Sequence, residues 1–399
     1  MTKVILAYSG GLDTSVILHW LCKQGYDVIC FLADVGQEED FEKAKAKALQ
    51  IGASKVYIED LKQEFIEKYI FQALKANAIY EGRYLLGTAL ARPLIAKKQI
   101  ELAKKENATI VAHGATGKGN DQVRFELAYL TLFPDVEIIS PWKDPIFYNQ
   151  FKGRLDLIKY AQENNIPITS SIEKPYSIDE NIMHTSYESG VLENPALPAP
   201  PTIYHRVINP QNAPDIGEAI SLEFKQGIPI YLSLKDGSNI KGSLAIFNAL
   251  NKLGQKHGIG TIDIVENRYV GMKSRGVYQT PAGTILWAAH RDIESLVIDK
   301  EVSHLKDTFI PKIAELIYNG FWFSPELNFM MAAIEQSQKN VEGIVHIFLY
   351  KGNIMITKRE SKKSLYNEEL VSMNVLGKYD QADAKGFIQI QALRLKLHS

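Results

Sequence analysis

Seven residues near the amino terminus, Ser9-Gly10-Gly11-Leu12-Asp13-Thr14-Ser15, bring together three hydroxyls, two adjacent glycines and a carboxylate. Such a stretch can hold an anion. Hydroxyls donate, and glycine lets the backbone come close. A helix starting here adds unpaired N–H groups and the positive end of its dipole. The expected ligand is phosphate. Further along, Asn120, Asp121 and Arg124 set an amide, a carboxylate and a guanidinium within about one helical turn. An amide with a guanidinium suits a substrate carboxylate, and a carboxylate suits an ammonium.

No lysine follows the first glycines, so the loop is not of the G-x-x-x-x-G-K-[ST] type that grips phosphates for γ-phosphoryl transfer. Hydroxyls and an aspartate suit a pyrophosphate that leaves intact, with Asp13 near a Mg²⁺. Gly114-Ala115-Thr116-Gly117-Lys118-Gly119 imitates a phosphate loop, but its leading glycines are too close and no Ser or Thr follows the lysine. Gly258-Ile259-Gly260 follows a helix and precedes a strand, the reverse of a dinucleotide fingerprint. Taken alone, Glu266-Asn267 with Lys273, Arg275 and Tyr278 downstream reads as a solvated loop. The histidines have no metal-ligand spacing, and neither a G-x-S-x-G motif nor a nucleophilic cysteine is evident.

The elements that must position these residues alternate. Apolar runs beginning at Val4 and Val28 read as buried strands, and shorter segments beginning at Lys55, Thr109 and Val136 as three further strands. Between and after them lie helical patterns over 13–23, 38–51, 61–78, 90–106, 122–132 and 153–163. Gly25 and Gly52 act as stops, and Pro93 is tolerable only in a first turn. Alternation predicts parallel strands with crossovers, hence a doubly wound α/β sheet. The loops starting at Ser9, Ala33 and His113 all leave strand ends, so they should face one site. After this the pattern changes. Residues 174–193 read as loop, and the proline-rich 194–201 as a connector. Strands over 220–224, 230–234 and 262–266, helices over 244–257, 301–319 and 325–339, and a hairpin across 351–353 predict an α+β domain. A last helix covers 384–397. The expected units are a nucleotide-binding domain (1–168), a substrate domain (169–370) and a C-terminal oligomerisation segment (371–399).

Composition narrows the class. The 399 residues are 46% hydrophobic and 23% charged, and 45 Lys+Arg against 46 Asp+Glu leave a net charge of −1. That balance argues against nucleic-acid partners. No apolar run is long enough to cross a membrane, and there is no leader-like start. The only cysteines, Cys22 and Cys30, read as small core residues in a reduced, cytoplasmic setting.

The first loop resembles the PP-loop of enzymes that split ATP into AMP and pyrophosphate. The resemblance extends along the chain. Ala7 to Ser15, Tyr84 to Pro93, His113 to Phe125, Tyr176 to Asn181, Gly258 to Gly276 and Thr280 to Thr284 are all similar to motifs of the argininosuccinate synthase family. The stretch from His113 is specific to that family, whereas the PP-loop is shared by several. The resemblance implies an adenine nucleotide hydrolase-like sheet followed by a synthetase domain. It also implies joining of citrulline to aspartate with ATP, and a homotetramer. ATP, with Mg²⁺ near Asp13, would lie on Ala7, Tyr8, Ser9, Gly10, Gly11, Leu12, Asp13, Thr14, Ser15, Ala33 and Gly114. Citrulline would meet Tyr84, Asn120, Arg124, Ser177, Ser186, Glu266 and Tyr278. Where some members carry a citrulline-contacting serine this chain has Ala89, so Thr88 is expected to supply the hydroxyl. Aspartate would meet Thr116, Asn120 and Asp121. Asp13, Asp121 and Arg124 are the expected catalytic groups, by positioning and charge stabilisation. Asp121 is expected near the attacking amine and Glu266 near the ureido group. A tRNA-modifying or NAD-forming enzyme on the same loop would be expected to carry basic patches or reactive cysteines. A non-catalytic nucleotide sensor would not need Asn120, Asp121 and Arg124 together.

Overall fold

The computed structural model describes residues 1–167, 176–374 and 380–397. Its first sheet has five parallel strands: β1 (Lys3–Ala7), β2 (Asp27–Asp34), β3 (Lys55–Asp60), β4 (Ile110–Ala112) and β5 (Glu137–Ile139), in spatial order β3-β2-β1-β4-β5. Alternate side chains feed two cores. Val4 and Leu6, with Val28, Cys30 and Leu32, pack beneath the Leu12–Lys23 helix, while Ile5, Ile29 and Phe31 face the Gly87–Glu106 helix. Burial on both faces explains why these strands read as continuous apolar runs. Strand order reverses between β1 and β4, so the loops after them, at Ser9 and His113, open onto the crevice where ligands bind in such sheets.

The second unit is antiparallel. One sheet runs β10-β9-β8-β13-β14, from β8 (Glu218–Lys225), β9 (Ile228–Leu234), β10 (Asn239–Lys241), β13 (Gly343–Tyr350) and β14 (Asn353–Glu360). The expected hairpin turn is present, with Lys351 and Gly352 both at positive φ. A four-stranded sheet runs β11-β12-β7-β6, from β6 (Ser177–Glu180), β7 (Thr185–Glu188), β11 (Thr261–Asn267) and β12 (Lys273–Gln279).

Several expectations change. Residues 176–193 are not loop, because they contain β6 and β7. The Glu266 and Tyr278 region is not a solvated loop, because β11 and β12 pair along their length and both side chains are buried. A helix at Pro281–Val297, which the sequence reading omitted, carries proline in its first turn and packs against the Ser243–Lys256 helix. The helix predicted from residue 90 starts at Gly87, after Leu86 in a left-handed conformation, so Pro93 lies inside it rather than in its first turn. The expected 61–78 helix spans residues 62–75, with a π-helical segment at Ile66–Ile70. Cys30 is a core residue; Cys22 is half-buried, and its thiol donates to the Gly52 carbonyl. The anticipated boundary at 168/169 lies outside the described residues. The proline-rich connector is irregular, and Arg275 holds it through the Asn194 and Leu197 carbonyls.

Candidate active site

The PP-loop-like stretch sits where β1 meets the Leu12–Lys23 helix. Gly11 occupies the N-cap position and no side chain caps the first turn, which leaves its N–H groups facing outward. Gly10 has φ +73, and a Cβ there would lie 2.7 Å from Glu39 Oε1. Lys47 Nζ donates to the Gly10 carbonyl at 2.8 Å. Ser9 Oγ and Thr14 Oγ1 are 3.1 Å apart across the loop.

A cavity of about 580 Å³ opens above this loop. Ala7, Tyr8, Ser9, Asp13 and Thr14 line it, with Ala33 from the end of β2 and His113 and Gly114 from the end of β4. The three strand-end loops therefore do face one space. Gly10, Gly11 and Leu12 adjoin it without lining it. The Ser15 hydroxyl is fully buried and paired with Tyr8 Oη at 3.0 Å. Burial pushes the Tyr8 phenol up to about 12, so it stays neutral.

A second cavity, of about 390 Å³, shares a wall with the first. Asp13, Arg92, Gly114, Asp121 and Asp179 line both. All the residues expected to hold citrulline line the second cavity, as do Thr116, Asn120 and Asp121. Strand alternation explains part of this convergence. Ser186 on β7 pairs with Asp179 on β6 and with Tyr278 on β12, and Glu188 pairs with Ser177 and Gly276. These side chains share one face, which Glu266 of β11 joins. Gly276 leaves room for the Tyr278 ring to fold back: a Cβ there would lie 2.6 Å from Tyr278 Oη. That hydroxyl reaches Glu266 Oε1 at 3.1 Å, and Tyr318 Oη reaches the same oxygen at 2.9 Å. Burial pushes the Glu266 carboxyl up, against the pull of both hydroxyls. Tyr84 stacks on Tyr278, with ring centroids 4.2 Å apart.

The charged wall is built from two helices and a strand. Arg92, on the Gly87–Glu106 helix, donates from Nε to Asp121 Oδ2 at 2.9 Å and from Nη2 to Asp179 Oδ2 at 2.8 Å. Arg124 donates from Nη1 to Asp121 Oδ1 and from Nε to the Tyr318 carbonyl, both at 2.9 Å. Each Asp121 oxygen thus has its own guanidinium. Burial opposes its charge, but Arg92 and Arg124 outweigh burial and hold its carboxyl below the usual range. Behind the wall, Thr88 Oγ1 donates to Asp179 Oδ2 at 3.0 Å and lies 2.9 Å from His184 Nε2. Burial first, and then Arg206, Arg92 and Arg124, push His184 down to about 3, so its ring is neutral. Because Thr88 gives its proton to Asp179, the His184 Nε2–H is the donor to Thr88.

The Asn120 side chain does more than face the cavity. Its Oδ1 accepts the Tyr269 N–H at 3.0 Å, which ties the tip of the β11–β12 hairpin to the start of the Asp121–Leu132 helix. Arg268, beside it, donates to Glu188 Oε2 at 2.7 Å. Sequence reading assigned no role to Arg92, Asp179, Glu188, Arg268 or Tyr318. Arg92, Asp179 and Arg268 lie inside the family-like motifs, which was the available signal; Glu188 and Tyr318 carried none.

Family models for the arginosuccinate synthase N-terminal HUP domain and the arginosuccinate synthase C-terminal domain match residues 3–167 and 176–398. The chain belongs to the argininosuccinate synthase family. It is 58% identical to the argininosuccinate synthase of Thermotoga sp. (strain RQ2), over 99% of this chain and 97% of that one. It is 56% identical to those of Danio rerio and Rattus norvegicus, over 99% of this chain and 96% of theirs. Arg92, Asp121 and Asp179 lie between the cavity above the PP-loop and the second cavity.

Proposed function

We propose that this chain joins L-citrulline to L-aspartate at the expense of ATP, releasing AMP and pyrophosphate, a step of arginine biosynthesis. The observation that carries this reading is the shared wall, which lets a group from one cavity meet a nucleotide in the other. ATP lies on the loop after β1, with its triphosphate at the helix start and its α-phosphorus towards Asp13, Arg92 and Asp121. The side chain of citrulline points to the same wall. The ureido oxygen attacks the α-phosphorus, the bond to the bridging oxygen breaks, and pyrophosphate departs. The aspartate amine then attacks the ureido carbon, and AMP leaves.

Asp13 is the residue fitted to hold Mg²⁺. It lines both cavities, and burial pushes its carboxyl up, as suits a carboxylate that gains from a cation. Among the described residues no group of three or more His, Cys, Asp or Glu side chains could cage a metal. An ion carried by the phosphates fits this arrangement, and it would neutralise charge on the leaving pyrophosphate. Asp121, held ionised by two arginines, is a weak base and is suited to seating the aspartate amine rather than taking its proton. Much of the rate enhancement comes from placing three substrates. The direct test is labelled ATP with both amino acids. AMP and pyrophosphate should form only when citrulline and aspartate are both present; ADP release, or indifference to either amino acid, would rule the reading out.

Arg124 is assigned to the citrulline carboxylate. Arg124→Leu should raise the citrulline KM by about 10- to 100-fold, the equivalent of roughly 1.5–3 kcal/mol for a charge-assisted contact. The KM for ATP should stay within about threefold, and steady-state kinetics would check both.

The assembly we propose is a homotetramer. The Asp383–Lys396 helix exposes Phe387, Ile388, Ile390 and Leu393, apolar side chains that the other described residues leave uncovered. Removal of residues 380–399 should give a smaller species by light scattering. Cys22 and Cys30 are both free thiols, in keeping with a reducing, cytoplasmic setting. Among the described residues no helix is long and apolar enough to cross a membrane.

A further inference from the structure

The stretch from Ser9 to Ser15 carries hydroxyls, glycines and a carboxylate, and no cation of its own. The fold brings one from elsewhere. Lys47, thirty-seven residues after Gly10, lies on the Phe41–Ile51 helix, about one turn beyond Ala44. Ala44 is small and buried, and a Cβ at Gly10 would lie 3.2 Å from its Cβ, so the helix rests directly against the loop. From that face Lys47 Nζ donates to the Gly10 carbonyl at 2.8 Å. The ammonium is half-buried. Burial lowers its pKa, Glu39 opposes that fall and Lys43 adds to it. An ammonium partly withdrawn from water and set against a neutral carbonyl is costly if stability is its only purpose.

What the bond fixes is a direction. A trans peptide unit is planar, so its carbonyl and its N–H point opposite ways. The unit that carries the Gly10 carbonyl also carries the Gly11 N–H. With the carbonyl drawn back towards the helix, the Gly11 N–H points away from it. Gly10, at φ +73, takes the left-handed turn that this orientation needs. Gly11 is exposed, and its N–H reaches Ser9 Oγ at 3.4 Å, a long bond that an anion can displace. Ser9 before the glycine pair and Asp13 after it both line the cavity above the loop. A charged donor on the carbonyl also polarises the amide and strengthens its N–H as a donor.

We infer that Lys47 is a positioning residue of this loop, pinning the Gly10 carbonyl so that the Gly11 N–H is presented to the β- and γ-phosphates and to the pyrophosphate they become. The inference rests on the reading that ATP lies on the loop after β1. Lys47 acts from behind, through the backbone, and does not touch the phosphates.

The test is equilibrium binding of inorganic pyrophosphate and of AMP to the full chain, each with Mg²⁺, by calorimetry. Lys47→Met keeps the stem and removes the donor. Its Kd for pyrophosphate should rise by about tenfold or more, while that for AMP, which has no β- or γ-phosphate, should stay within about threefold. Lys47→Arg can still donate to the carbonyl, and should bind pyrophosphate within about threefold of wild type. Equal weakening of both ligands in Lys47→Met would mark a general loosening and overturn the proposal. So would a gap between that variant and wild type that closes at high salt, the sign of a charge attraction at a distance. A loss of about tenfold in Lys47→Arg would overturn it too, and decides the matter even if Lys47→Met does not fold. Wild-type protein that binds neither ligand would instead sink the placement of ATP on this loop, and the inference with it.

Discussion

Replacing Arg92 by leucine is expected to lower kcat by about 10³-fold, the upper range for loss of a preorganised donor at a developing charge. Arg92 is the side chain that bridges two carboxylates of the shared wall, through Nε to Asp121 and Nη2 to Asp179. Without it Asp179 keeps Thr88 and Asp121 keeps Arg124, so the fold survives but two negative charges face the α-phosphate. Arg92→Lys should recover little of the activity. A single ammonium cannot reproduce two bonds in fixed directions from one planar group. Rapid-quench measurement of AMP formation would separate this effect from slow product release. A loss of less than about tenfold in Arg92→Leu would remove Arg92 from the chemical step.

Gly87→Ala should destabilise the chain by about 2–3 kcal/mol, near the upper range for overpacking a tight core. A Cβ at Gly87 would lie 2.4 Å from His184 Cγ, and His184 has nowhere to retreat, being fully buried. The cause is steric alone, since Gly87 is not at positive φ. Displacing His184 would also move Thr88 and, through it, Asp179. The variant should therefore show both a lower urea midpoint and a reduced kcat. An unchanged midpoint would mean that the ring shifts freely, contrary to the packing seen.

The first sheet was legible because its central strands β1, β2 and β4 are buried on both faces and therefore read as apolar runs, with glycine-rich breaks where the crevice lies. The three loops could be placed on one edge from order alone. The four-stranded sheet was not legible. Its strand Thr185–Glu188 is short and polar, since alternate side chains are spent on the cavity, and its partner on one side, β12, comes about ninety residues later. Local periodicity carries no trace of such a pairing. The Pro281–Val297 helix could have been found: Pro281 is a first-turn residue, and Ala282, Ile285, Leu286, Ala289 and Ile293 follow at helical spacing. Arg92 illustrates the opposite case. Its motif was recognised, but its task depends on Asp121 and Asp179 arriving beside it from distant parts of the chain.

The common wall between the two cavities also has a thermodynamic consequence. Ligands that touch the same charged side chains cannot bind independently, and binding linkage is reciprocal. Whatever factor ATP exerts on the affinity for citrulline, citrulline must exert on the affinity for ATP. With Arg92 shared in this way, the nucleotide acts as an effector of amino-acid binding as well as a reactant.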